Sequence, residues 1–196
     1  MWRRVRHGFR RVWVSIILVA WPLARLWYRA WGLTLDGHPD DGVWYFAYGA
    51  NMHDSAFQGR RGMRPKEWRA AHIRGYRLRF NLDGRPIGRA APANITPDKE
   101  AEVWGVLYQI SRRDLVRLNA SEGIPGWRYR PIRLAAVDLG GNPLDAVAYI
   151  ADGNDDDGNP SLRYITLLRE GARAHRLPDH WIAFLDAVEH AELGAS

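Results

Sequence analysis

The 196-residue sequence contains no cysteine, which excludes disulfide frameworks, thiolate metal sites, iron–sulfur clusters and cysteine nucleophiles. Several other site signatures are missing: there is no HExxH pair, no GxSxG elbow and no phosphate-binding P-loop. Counted from Asp152, the acidic run 152–158 has Asp157 where an EF-hand loop needs glycine and Arg163 where it needs its last glutamate, so a solvated loop is expected there. The sequence therefore predicts no metal site and no cofactor.

Basic charge is lacking outside the N-terminal segment. Residues 1–36 hold seven arginines and a single acid, Asp36, which accounts for the whole net charge of +6. The rest of the chain is neutral, whereas a nucleic-acid-binding domain needs a basic face among its own residues. We therefore expect no nucleic-acid partner.

The sequence also lacks an uninterrupted apolar run long enough to span a bilayer. Residues 12–24 are apolar apart from Ser15, but a spanning helix needs about 20 residues. Continuing to residue 35 gives the length and includes Arg25 and Arg29, which share one helix face and can snorkel. Three interpretations stay open: an uncleaved anchor that spans or lies on the membrane, a secretory signal peptide, or an amphipathic helix packed on the body or a partner.

The anchor is favoured because arginines and tryptophans flank the run and no small-residue cleavage site is evident. We therefore predict membrane association through residues 1–35, at the inner membrane, with the body preferred on the cytoplasmic face. The domain organisation is a leader at 1–36, a linker rich in turn formers at 37–42, and a domain at 43–192.

The body carries strand patterns first, one helix in the middle and helices last. Predicted strands cover 43–48, 71–81 with a possible bulge at Gly75, 101–110, 127–138 and 143–150. Predicted helices begin after Ser111, at residues 160–161 and near Pro178, while 53–66 is a loop or short helix. This order indicates an α+β domain with a mainly antiparallel sheet or small β-barrel, flanking helices and an N-terminal apolar helix.

Two local features carry chemistry. Small residues end the first strand at Tyr48, Gly49, Ala50 and Asn51, so backbone N–H groups there can hold a carboxylate or an oxyanion, although an ordinary turn explains them as well. Glu122 follows a helix end, where an acid is electrostatically disfavoured, and Gly123 comes after it. In a partly desolvated setting this carboxylate is a candidate general base, the alternative being an exposed helix-terminal glutamate.

Taken in order, these segments resemble the γ-glutamylcyclotransferase family. The resemblance rests on YFAYGAN at 45–51, VWGVLY at 103–108 and the segment from Leu118 to Glu122, Gly123 and Ile124. It continues through Gly126 and Tyr129, then through residues 160–164, 171–172 and 177–178. Ala50 replaces the usual serine of the first motif, and Asn119 replaces an aspartate.

The resemblance implies an enzyme that releases 5-oxoproline and a free amine or amino acid from a γ-glutamyl compound. The α-amino group of the substrate would attack its own γ-carbonyl, so no nucleophile, metal or cofactor of the protein is needed. Glu122 would be the catalytic acid and base. The implied substrate-binding residues are Tyr45, Phe46, Ala47, Tyr48, Gly49, Ala50, Asn51 and Tyr164.

The resemblance also allows a homodimer. Two other functions stay open. One is a non-catalytic, membrane-tethered binding module of the same fold, for which Ala50 leaves room. The other is a transferase or hydrolase acting on a larger γ-glutamyl conjugate, which a membrane anchor would suit.

Overall fold

The computed structural model describes residues 38–84, 90–121 and 129–191. Five strands close into a barrel: β1 Gly42–Ala47, β2 Glu67–Arg79, β3 Asn94–Ser111, β4 Arg130–Asp138 and β5 Pro143–Ile150. Three α-helices flank it: α1 Arg112–Ser121, α2 Leu162–Ala174 and α3 Asp179–Ala187. Between β1 and β2 lie a 3₁₀ turn, Ala50–Met52, and a short helix of π type, Ser55–Arg60.

The predicted small barrel with flanking helices is thus confirmed. The predicted N-terminal apolar helix and the rest of the leader lie outside the described residues. Within the part of the chain that is described, no helix is long and apolar enough to cross a membrane.

The barrel runs in the order β1-β3-β2-β4-β5, and a parallel pair between β1 and β5 closes it. The other pairs are antiparallel, and the 18-residue β3 lies between β1 and β2. The register of β2 against β3 shifts between Arg74 and Tyr76, which confirms the predicted bulge at Gly75. Gly75 has φ of +82°, a conformation that glycine adopts without a steric penalty.

Serine caps start two of the helices, as the sequence predicts. The Ser111 hydroxyl accepts the Asp114 N–H at 3.0 Å, and the Ser161 hydroxyl accepts the Tyr164 N–H at 3.2 Å. Helix α2 then buries Ile165, which continues the core of the barrel. The cap at Ser161 fixes Tyr164 in the first turn of α2, and this places its side chain at the barrel opening.

The β4–β5 hairpin is organised by the carboxylate of Asp138. It accepts the backbone N–H groups of Asn142 and Gly140, each at 2.9 Å, and an N–H of Arg69 at 3.0 Å. These hydrogen bonds, led by that of the Asn142 backbone, lower the pKa of Asp138.

The acidic loop at 152–158 has exposed side chains, and it is fastened to the end of β2. Asp157 pairs with Arg79 at 3.0 Å, and the Asn81 side chain donates to the carbonyl of Asn154 at 2.9 Å. In the described ranges no three His, Asp or Glu side chains are grouped so that they could hold a metal ion. The loop is therefore held against the end of β2 by an ion pair and a hydrogen bond.

Candidate active site

A cavity of about 370 Å³ opens at the end of β1. Its walls come from the loop after β1, the end of the π-type helix, the residues before β3, and single tyrosines before β4, on β5 and on α2. The lining residues are Tyr45, Tyr48, Gly49, Ala50, Asn51, Arg60, Arg61, Pro92, Ala93, Tyr129, Tyr149 and Tyr164. Hydroxyl, amide and guanidinium groups dominate this list, so the cavity suits a small polar molecule.

Six of the predicted substrate-binding residues meet in this cavity: Tyr45, Tyr48, Gly49, Ala50, Asn51 and Tyr164. The two remaining residues of the motif, Phe46 and Ala47, are fully buried in the core and do not line the cavity. They hold the strand in place, because the ring of Phe46 lies against Gly105 of β3. Gly49 packs closely against Tyr164, because a Cβ at Gly49 would be 3.0 Å from the Tyr164 hydroxyl.

The 3₁₀ turn Ala50–Met52 is held in place by residues of the core. Its first hydrogen bond runs from the Met52 N–H to the Gly49 carbonyl at 2.9 Å. The buried Tyr108 hydroxyl donates to the Met52 carbonyl at 3.1 Å and lies 3.1 Å from Nε2 of His175. Burial raises the pKa of Tyr108, so this phenol stays neutral and can keep donating. The turn is therefore pre-positioned by the core.

The hydroxyl groups around the cavity differ in where their protons point. Tyr48 donates to the main-chain carbonyl of Tyr149, Tyr129 donates to the Ala93 carbonyl at 3.2 Å, and Tyr149 donates to Oδ1 of Asn119. The hydroxyl oxygens of these three tyrosines therefore act as hydrogen-bond acceptors toward any further group.

Tyr45 and Tyr164 have the opposite polarity. The Tyr45 hydroxyl accepts from the Asn51 amide at 2.8 Å, and the Tyr164 hydroxyl accepts the Ala93 N–H at 3.1 Å. Because an oxygen that is already accepting directs its own proton elsewhere, these two hydroxyls act as donors. The cavity thus combines donors, which suit an anion, with acceptors, which suit a cation.

Sequence reasoning did not assign five of the lining residues: Arg60, Arg61, Pro92, Ala93 and Tyr149. Among the lining residues, the charged side chains are both arginines. The two arginines stand together in a polar stretch of the sequence, and that was the available signal. Only the π-type helix of the structure shows that they line the cavity. Tyr129 was noted in the family resemblance without a role.

Glu122, the predicted catalytic residue, lies outside the described residues. Residues on both sides of the segment 122–128 are described. On one side, Asn119 of α1 is hydrogen-bonded to the lining residue Tyr149. On the other side, Tyr129 is itself a lining residue.

Comparison with known proteins gives a consistent picture. A family model described as the AIG2-like family matches residues 102–185. The γ-glutamyl cyclotransferase gliK of Aspergillus fumigatus is 26% identical over 175 residues, covering 76% of this chain and 63% of that protein. The human γ-glutamylcyclotransferase is 25% identical over 156 residues, covering 78% of this chain and 82% of that protein.

The fold comparison agrees. A solved structure titled γ-glutamyl cyclotransferase superimposes with a TM-score of 0.70 at 22% identity, covering 80% of this chain and 93% of that one. The chain spans only 63% and 59% of the lengths of gliK and of the Aspergillus oryzae relative aclK. The family model, the curated relatives and the barrel thus agree in their similarity to the AIG2-like, γ-glutamylcyclotransferase proteins.

Proposed function

We propose that the protein is a γ-glutamylcyclotransferase-type enzyme that converts a γ-glutamyl compound into 5-oxoproline and a free amine or amino acid. The α-amino nitrogen of the substrate attacks its γ-carbonyl carbon, which closes a five-membered ring through a new C–N bond. The C–N bond to the leaving amine breaks. The α-nitrogen loses two protons as the ammonium group becomes the ring N–H, and the leaving nitrogen gains two as it becomes an ammonium group, so no external reactant is consumed.

The observation that carries this proposal is the assembly of six motif residues around one cavity: Tyr45, Tyr48, Gly49, Ala50, Asn51 and Tyr164. The cavity has a size that suits a small molecule. Its rigid walls favour a reaction that depends on folding a flexible chain into a ring-like pose, and such positioning can supply roughly 7–11 kcal/mol of a barrier.

The substrate is proposed to lie with its charged groups against complementary partners. The α-carboxylate faces Arg60 or Arg61, which supply the positive charge, and the donating hydroxyls of Tyr45 and Tyr164. Backbone N–H groups of residues 48–51 are proposed to stabilise the developing oxyanion. Phe46 and Ala47 contribute through the position of the loop.

Glu122 is proposed as the base that removes the ammonium proton and then as the acid that protonates the leaving nitrogen. Support comes from chain connectivity. Glu122 is three residues beyond Asn119, whose side chain contacts the cavity residue Tyr149. This nearness in sequence supports the assignment.

The test is release of 5-oxoproline from γ-glutamyl-alanine, γ-glutamyl-lysine and glutathione. We expect product from at least one of them, and we expect Glu122→Gln to keep the fold and lose nearly all turnover. Glu100→Gln is the matched control, because Glu100 is exposed on β3 and does not line the cavity. Product from none of the substrates would favour a non-catalytic binding module or a larger conjugate as substrate. Substantial turnover by Glu122→Gln would refute the role of Glu122.

Membrane attachment through residues 1–35, a cytoplasmic position of the body and a homodimer remain proposals from the sequence. Fractionation of cells that produce the full chain tests the first. We expect the chain in the membrane fraction, and a variant lacking residues 1–35 in the supernatant. A full chain found in the supernatant alone would contradict attachment.

A further inference from the structure

We propose that His175 is a positioning residue for the 3₁₀ turn that carries Ala50 and Asn51 into the cavity. When its imidazole ring is protonated, it directs the Tyr108 proton to the Met52 carbonyl and so holds the turn. When the ring is neutral, it competes for that proton and the turn loses support. The change in turnover rests on the proposed function, whereas the change in the turn can be measured without it.

The hydrogen bond of Nδ1 fixes where a neutral His175 keeps its hydrogen. His175 is buried at the C-terminal end of α2. Its Nδ1 lies 2.9 Å from the carbonyl oxygen of Gly171, and a carbonyl can only accept, so Nδ1 carries hydrogen in both protonation states. The other ring nitrogen, Nε2, therefore has a lone pair when the ring is neutral and an N–H group when the ring is charged.

Tyr108 has one proton and two neighbours that can accept it. Its hydroxyl oxygen lies 3.1 Å from the Met52 carbonyl oxygen and 3.1 Å from Nε2 of His175. When His175 is neutral, the lone pair of Nε2 and the Met52 carbonyl compete for the single proton. When His175 is charged, its Nε2–H group donates to the Tyr108 oxygen, and the phenol proton goes to Met52. Each donor then has its own acceptor, so the charged form completes the buried network.

The groups that pack against His175 accommodate a positive charge. The C-terminal carbonyls of α2, that of Gly171 among them, carry partial negative charge and favour a cation at this position. Tyr108 faces the ring from β3 and stays neutral, because burial raises the pKa of its phenol. Trp68 faces it from β2 with an uncharged ring, 4.7 Å away between centroids. Among the described residues in hydrogen-bond or ring contact with His175, the titratable one is therefore Tyr108.

The charged side chains on either side of His175, of Trp68 and of the turn are ion-paired or exposed. The pairs are Glu67 with Arg69, His53 with Glu170, and Arg173 with Asp186, and the exposed side chains are Asp54 and Arg176. His53 is a second histidine beside the turn, so the experiment must separate its protonation from that of His175.

The Met52 carbonyl is coupled to the cavity through the turn. The Met52 N–H closes the turn on the Gly49 carbonyl at 2.9 Å, and the two residues between them, Ala50 and Asn51, line the cavity. On its other side, Met52 lies so close to Gly171 that a Cβ added there would be 2.8 Å from the Met52 carbonyl carbon. Because the packing leaves little free space, a shift of this carbonyl also moves the backbone of the turn.

The first experiment observes the Met52 carbonyl by NMR and needs no turnover. The chain has three methionines, and Met52 is the one that histidine follows, so ¹³C-carbonyl methionine combined with ¹⁵N-histidine identifies the Met52–His53 peptide alone. The full chain is titrated from about pH 5 to about pH 9. We expect the Met52 carbonyl signal to follow the titration of the His175 ring. The ring nitrogens should show the remaining hydrogen on Nδ1 at the alkaline end.

Variants separate the two histidines. Tyr108→Phe removes the hydroxyl and His175→Gln removes the titrating ring, so each should abolish the part of the Met52 shift that follows His175. Any shift left in these variants comes from His53, which both retain. His180→Gln is the matched control and should keep the full shift, because His180 is an exposed histidine of α3 that lies beside Glu102 instead.

The second measurement is the kcat/KM of Tyr108→Phe for 5-oxoproline release, divided by that of the unmodified chain at the same pH. We expect the variant to be about 10-fold slower where His175 is charged, because the turn then loses its donor and misplacement of a site is costly. The deficit should shrink to about threefold or less where His175 is neutral. In a His175→Gln background it should be the same at every pH. A hydroxyl that merely fills space would give a constant deficit in both backgrounds.

A Met52 signal that ignores the titration of His175, or a neutral ring with its hydrogen on Nε2, would overturn the inference. A deficit that is constant with pH in a chain that turns over substrate would also overturn it. If melting curves show that Tyr108→Phe is unfolded, the Met52 signals of the unmodified chain and of His175→Gln decide. Absence of 5-oxoproline with the unmodified chain would refute the proposed function, while a Met52 signal that follows His175 would still support this inference.

Discussion

Gly171 of α2 packs directly against the 3₁₀ turn that forms one wall of the cavity, so the variant Gly171→Ala probes how tightly the site is built. An added methyl carbon would lie 2.8 Å from the carbonyl carbon of Met52 and 2.9 Å from both its Cβ and its carbonyl oxygen. Ordinary van der Waals contact begins at 3.4 Å, so the turn and α2 must separate by about half an ångström. These are mostly backbone atoms, which cannot yield as a flexible side chain does.

The expected magnitude follows from two opposing terms. Overpacking costs roughly 1–3 kcal/mol, whereas alanine is favoured over glycine in a helix by about 1 kcal/mol. We expect a net loss of about 1 kcal/mol and a melting temperature lower by about 2–4 °C. The turn also carries Ala50 and Asn51 into the cavity. Because a misplacement of about 1 Å can cost about 100-fold in rate, we expect kcat/KM to fall about 10-fold.

The assay pairs thermal unfolding, followed by circular dichroism, with 5-oxoproline release at a temperature where the variant stays folded. Gly59→Ala is the matched control, because its added methyl would come no closer than 3.9 Å to the nearest atom, the Asp54 carbonyl oxygen. We expect that control to keep its activity and to gain slightly in stability. If Gly171→Ala matches the unmodified protein in both measurements, the close approach of α2 to the turn does not position the site.

Three further predictions follow from the site and the hairpin. Arg60→Gln and Arg61→Gln should raise KM more than they lower kcat, because the arginines are proposed to hold the carboxylate in ground and transition state alike. Equal changes in the control variant Arg64→Gln, whose arginine is exposed, would contradict this. Ala50→Ser should leave the rate unchanged or improved if this position acts through its backbone, and a marked loss of turnover would argue otherwise. The pKa of Asp138 is lowered in the folded state, so its stabilisation is present above its ordinary value of 3.8 and is lost as the pH falls through the folded value. Melting curves should therefore show Asp138→Asn less stable than the unmodified chain at pH 7, with the difference shrinking below about pH 4, and a constant difference would exclude this role.

Elements defined by short-range patterns were predictable from the sequence. The strand at 143–150 matches β5 Pro143–Ile150, and the cap at Ser111 forms as expected, because both depend on residues adjacent in the chain. The bulge at Gly75 was predictable for the same reason. β2 begins at Glu67, four residues before the predicted start. Its first residues include charged ones without an alternating pattern, and they form a strand because they pair with β3.

The site was predictable where one continuous motif forms it. Tyr45 and residues 48–51 supply one wall, and residues this close in sequence need little of the fold to come together. Tyr149 could not be assigned, because its place in the cavity depends on the parallel pairing of β5 with β1, which joins residues about 100 positions apart. Arg60 and Arg61 depend on the length of a π-type helix that has no reliable sequence signal.

The proposed reaction needs no nucleophile from the protein, so the hydrogen-bond pattern of the cavity is what remains to orient a ligand. Each tyrosine hydroxyl of the cavity has a partner within the protein, such as Ala93, which serves Tyr129 through its carbonyl and Tyr164 through its N–H. Ala93, just before β3, thus makes the Tyr129 hydroxyl a donor and the Tyr164 hydroxyl an acceptor within the protein. A zwitterionic ligand can be oriented by such a pattern before any chemistry occurs, and the entropy of orienting it is then paid on binding.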